Sequence, residues 1–147
     1  MRKLLLFISS LAIILVLAAC NSTSESSEKD KNEPPKQIDL EGDWVQINSN
    51  SEDSWQEAVI KGDTIEINWI NNDGDTKSLY WAGTFIKPTE GTESYSWISD
   101  NDTSKTDSAL LASSAETKEF TYEDGILSYE AAALGTTTVI KLEKKSE

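Results

Sequence analysis

From Ile38 to the C-terminus, apolar residues recur at every second position in short runs, and each run ends in a pair or cluster of turn-forming residues. A strand places successive side chains on opposite faces, so such runs specify strands with one buried and one wet face. The clearest is Thr64 to Trp69, where Ile65, Ile67 and Trp69 alternate with Thr64, Glu66 and Asn68. It follows Glu57 to Lys61 across Gly62-Asp63, a two-residue hairpin signal in which glycine supplies the positive φ.

The same reasoning predicts strands over 42–47, 77–87, 93–99, 117–123, 126–132 and 136–143. In 77–87, Leu79, Trp81, Gly83 and Phe85 alternate with Tyr80, Ala82, Thr84 and Ile86, so both faces are expected to be partly covered. Asp124-Gly125 is a second strong hairpin signal, and turns are expected at Asn71–Asp75 and Pro88–Thr92. The run 108–113 is too short to separate a helical turn from a strand, and no sustained helical stripe follows residue 37. About seven to nine short strands joined by local turns predict an all-β fold, either a small antiparallel up-and-down barrel or a sandwich. The local connections favour the barrel, which also removes exposed strand edges.

The first residues follow a different rule. Arg2 and Lys3 precede an apolar run from Leu4 to Leu17, interrupted by Ser9 and Ser10 and closed by Ala18-Ala19. This is the three-part layout of a secretory signal, and it is shorter than the roughly 20 apolar residues of a membrane span. Leu17-Ala18-Ala19-Cys20 resembles the lipobox of bacterial lipoproteins, in which the cysteine thiol takes a diacylglyceryl group and the chain is cut just before it. That resemblance implies a signal peptide over 1–19, lipidation at Cys20 and attachment to the cell membrane, facing its extracytoplasmic side. Residues 21–36 contain no large apolar side chain and end in Pro34-Pro35-Lys36, so 20–37 is expected to be a flexible, disordered stalk below a barrel domain over 38–145. Its reach is at most about 50 Å.

Composition narrows the chemistry. The chain has no histidine, which removes imidazole acid–base catalysis, the usual serine triad and most zinc sites. Its only cysteine is Cys20, so no intramolecular disulfide forms. Loss of residues 1–19 leaves 11 basic against 26 acidic residues, a balance that repels nucleic acid. Paired carboxylates remain formally able to hydrolyse a substrate, but most acids fall in turns or at outward positions, and no enzymatic activity or cofactor is expected. The oxygen-rich runs Asn71–Asp75 and Asp100–Asp102 lack the ligand spacing of a calcium loop and are read as turns, with no metal site.

Five tryptophans stand at 44, 55, 69, 81 and 97. Trp69, Trp81 and Trp97 are in phase with apolar neighbours, which assigns them to the core or to the lining of a cavity. Trp55 lies in the polar stretch 49–56 and is expected to be the most exposed. Trp55, Trp81 and Trp97 are the candidate contact residues for a ligand or partner. Gly42-Asp43-Trp44 resembles the Gly-x-Trp element that opens the first strand of lipocalins and related barrels, which implies that Trp44 closes one end of the core. The expected function is that of a tethered binding protein whose barrel takes a protein partner or a small apolar ligand. A prophage or mobile-element lipoprotein acting in phage exclusion is an alternative, on architecture alone.

Overall fold

The computed structural model describes residues 38–88, 94–133 and 135–146. The expected signal peptide, Cys20 and the stalk lie outside the described residues, as does most of the Pro88–Thr92 turn. Eight strands follow one another: β1 (Gly42–Gln46), β2 (Trp55–Lys61), β3 (Thr64–Asn71), β4 (Thr76–Thr84), β5 (Ser94–Asn101), β6 (Thr117–Glu123), β7 (Ile126–Ala133) and β8 (Thr136–Lys144). Each pairs antiparallel with the next, and β8 returns to β1 through Trp44↔Lys144, Val45↔Glu143 and Gln46↔Leu142. The closed up-and-down barrel expected from the sequence is therefore the fold.

The tight turns have the backbone their residues favour. Gly62 stands at φ +61 between the paired Lys61 and Thr64, and Asp124 and Gly125 are both at positive φ between Glu123 and Ile126. Two positive φ values in succession match the type I′ hairpin, whose twist suits the flanking strands. Asn72 and Asp73 are also at positive φ, so this acidic run forms a turn. Residues 108–113 form consecutive turns after a four-residue helix, α1 (Thr103–Thr106).

Several strand limits differ from the sequence reading by a few residues, and β5 runs on to Asn101. Trp55 opens β2 instead of lying in the preceding loop, because its partner Ile70 extends β3 beyond Trp69. β4 ends at Thr84, where pairing with β5 stops, although the Phe85 N–H still donates to Asp63 O at 2.8 Å in register with Thr64↔Thr84 on the β3 side. Inside β4, Ile67 pairs with Trp81 and Asn68 with Leu79, so Tyr80 is the extra residue of a β-bulge. The bulge turns both Tyr80 and Trp81 inward, and alternation alone allows only one of them to point there.

Among the described residues, buried side chains pack the interior. Seven rings follow one another through it: Tyr95 and Phe85 stack on Trp97, Trp97 on Phe120, Phe120 meets Tyr129, Tyr129 stacks on Tyr80, and Tyr80 meets Trp69 edge-on. Centroid separations of 5.0 to 6.2 Å are contact distances for aromatic pairs. Ile60, Ile65, Ile67, Leu127 and Leu142 pack around them with at most 1% exposure. Trp44 is buried, its Nε1–H donating to Leu40 O at 3.0 Å and its ring meeting Tyr122 edge-on.

Candidate binding surface

The barrel wall is thinnest where β4 meets β5. Only Gly83↔Asn101 and Thr84↔Asp100 pair there. Gly83 is what permits this approach, because a Cβ on it would lie 2.4 Å from both Asp100 O and Ser99 Oγ. Beyond Thr84 the two segments separate and leave an open groove of about 760 Å³. Phe85, Tyr95 and Trp97 line it together with Ile86 and Ile98, whose side chains are 83% and 62% exposed. Asp63, Asp100 and Glu119 add three carboxylates to the lining, with no basic residue among them. Tyr95 braces the groove, its hydroxyl donating to Ile86 O at 2.7 Å. The indole N–H of Trp97 is buried and has no acceptor among the described residues, an arrangement that costs about 1–3 kcal/mol until something accepts it.

On the far side of β5 the wall divides a second time. β6 and β7 pair from Phe120↔Tyr129 to Glu123↔Ile126 and then separate, although both strands continue. Lys118 closes the split from within, donating to Glu130 O at 3.0 Å and to the Tyr80 hydroxyl at 3.1 Å. Its ammonium also lies 5.0 to 5.8 Å from the centres of the Tyr80, Trp81 and Tyr129 rings, within cation–π range. Burial lowers the Lys118 pKa, an effect the Glu130 carboxylate opposes. Burial raises the pKa of Tyr80, and pushes that of Tyr129 well up. Gln56 is fully buried nearby, its Oε1 accepting from the Tyr129 hydroxyl while its Nε2 has no partner among the described residues. A cleft of about 450 Å³ lies over this split, with Thr117, Thr121, Ser128, Glu119 and Glu130 around it.

The three candidate tryptophans are not brought together. Trp81 is fully enclosed, its Nε1–H donating to Ser99 Oγ at 3.2 Å, so it reaches no ligand at the surface. Trp97 is 5% exposed and lines the groove. Trp55 and Trp69 are half-buried, whereas Trp44, Trp81 and Trp97 are buried. The Trp55 Nε1–H lies 3.3 Å from Glu57 Oε1, a carboxylate that Lys145 also holds. Burial raises the Glu57 pKa, but these hydrogen bonds and the lysine charge outweigh it and leave the carboxyl below its usual range. Ile86, Ile98 and Lys118 were absent from the sequence candidates. For Lys118 a signal exists, since it shares the parity of Phe120 and Tyr122 and therefore the inward face of β6. Ile98 likewise has the parity opposite Tyr95 and Trp97 and therefore faces outward, whereas no signal marks the open groove beside it, which follows from where β4 stops.

Comparisons of the chain with protein-family models, with curated proteins and with solved structures returned no match.

Proposed function

We propose that this chain is the precursor of a lipid-anchored extracytoplasmic binding protein that takes a protein partner on the outside of its barrel wall. The observation that carries this reading is a filled interior beside an open apolar groove. A small apolar ligand inside the barrel would have to displace one of seven contacting rings. The groove at the β4–β5 seam offers two exposed isoleucines and aromatic walls without such displacement. Exposed apolar side chains gathered in one concave place mark a contact surface more often than scattered ones do. The lipobox at Cys20 supplies the anchor, and a diacylglyceryl group carries the two acyl chains that stable attachment needs. No catalytic step is assigned.

Two measurements test the reading. Cells expressing the full chain and fed radiolabelled palmitate should label it in the membrane fraction, and Cys20→Ser should abolish both label and sedimentation. Label retained in that variant defeats the anchor. Tryptophan emission of the lipidated protein in detergent should stay unchanged across a panel of free fatty acids. A saturable shift would show an internal ligand site and defeat wall binding.

A further inference from the structure

The groove borders a stretch of β5, residues 95–99, whose backbone has no partner on that side among the described residues. The Asp102 N–H donates to Ala82 O at 2.8 Å, across the seam, whereas the Asn101 N–H donates to Glu116 O at 3.0 Å, in the opposite direction. Backbone groups alternate along a strand, so the N–H and C=O of Ile98 and Ser96 also point across the seam, where β4 has already ended. No backbone hydrogen bond among the described residues joins 95–99 to 85–88, and the odd-numbered residues of β5 face β6 in a continuous ladder. The free edge is thus flanked by Ile86 and Ile98, by the unsatisfied indole N–H of Trp97, and by Asp63, Asp100 and Glu119.

We infer that this edge binds an extended peptide segment of a partner protein by strand addition, and that the segment carries lysine or arginine beside apolar side chains. This deepens the wall-binding reading and rests on it. Main-chain hydrogen bonds to an open edge give affinity for any extended peptide, and the side-chain environment selects among peptides. Here selection comes from two isoleucines, which need apolar partners, and from three carboxylates with no cation among them, which favour a basic segment and repel an acidic one. A second copy of this chain does not fit, because 26 acidic residues against 13 basic ones make like copies repel. An extended chain also brings backbone carbonyls, one of which can accept from Trp97.

The test uses the full lipidated protein in detergent micelles and a fluorescein-labelled nine-residue synthetic peptide alternating lysine, valine and threonine. Two comparison peptides replace every lysine by glutamate, or place proline at the centre. The lysine peptide should bind saturably by anisotropy, with both comparison peptides at least tenfold weaker. Binding should slow amide exchange of Ser96 and Ile98 at least tenfold. The double variant Ile86→Ser, Ile98→Ser alters exposed side chains only and should weaken binding about tenfold while leaving the thermal midpoint in place. Equal binding of the proline peptide, or unchanged exchange at Ser96 and Ile98, overturns strand addition. Absence of any binding also overturns it, and the fatty-acid panel then tells the two claims apart: a silent panel leaves wall binding standing, whereas a saturable shift removes both.

Discussion

At the residue scale, the buried lysine of β6 sets the most specific expectation. Lys118 places an ammonium among three rings with two hydrogen bonds, and its lowered pKa means that burial outweighs what its surroundings return. Lowering in the folded state makes the unfolded chain bind more protons, so Lys118 contributes stability that grows as pH rises from its folded pKa toward 10.5 and is lost as pH falls. Tyr80 and Tyr129 act with the opposite sign: their raised pKa values contribute stability that is complete below the usual tyrosine pKa and lost above it. The tyrosines are common to wild type and Lys118→Met, so they cancel in the difference between the two. Urea denaturation from about pH 7 up to 10.5 should show wild type gaining stability relative to Lys118→Met as pH rises, and a difference that stays flat over the whole range would mean that burial does not disfavour the ammonium. Lys118→Ala should cost about 3 kcal/mol, because it leaves a void and strips the donor from Glu130 O. Parity along Thr117–Glu123 made the inward position of Lys118 legible. Its partners were not, since Tyr80 reaches it only through the bulge in β4.

At the scale of elements, the β4–β5 seam and the β6–β7 hairpin differ in how their closure is achieved. The hairpin is local, held by Asp124 and Gly125 in left-handed conformations. Gly125→Ala should therefore cost about 1–2 kcal/mol without altering the rest of the barrel, as read by thermal denaturation. The seam depends on a close approach of segments seventeen residues apart in the chain, Gly83 to Asp100. Gly83→Ala should cost about 3 kcal/mol or more and speed amide exchange selectively across β4 and β5. Exchange accelerated evenly over the whole barrel would mean that the seam has no independent opening. Every hairpin that the sequence marked with a glycine pair forms as expected. The end of β4 was missed because Thr84, Phe85 and Ile86 continue the alternation without interruption, and the Phe85 N–H still bonds Asp63 O in register with β3, so nothing local marks where pairing with β5 stops.

For the whole molecule, net charge matters more than any single ion pair. Described ion pairs join Lys87 to Glu41, Lys105 to Glu66, Lys144 to Asp39 and Lys145 to Glu57, with side chains largely exposed. Exposed pairs contribute about 0–1 kcal/mol each, less than the self-repulsion of a chain with twice as many acidic as basic residues. Raising sodium chloride from about 50 to about 500 mM should therefore raise the melting temperature by a few degrees, through shortened screening lengths. A falling midpoint would mean that the ion pairs outweigh the repulsion. Acid acts on three of these pairs through Asp39, Glu41 and Glu57, whose pKa values lie below their usual range. Asp39 and Glu41 are held there chiefly by hydrogen bonds from Lys144 and Lys87.

Local sequence was enough to specify the class of fold, the strand periodicity, the hairpin turns and the net acidity. These are properties of local backbone preference and of side-chain alternation, which depend on neighbours a few residues away. Only tertiary contacts established that rings pack the interior, that Tyr80 and Trp81 both turn inward, and that among the described residues β5 continues past its last pairing with β4 beside an apolar groove. Those features arise where strands distant in sequence match imperfectly in length and register, and alternation along one strand carries no information about where its neighbour stops.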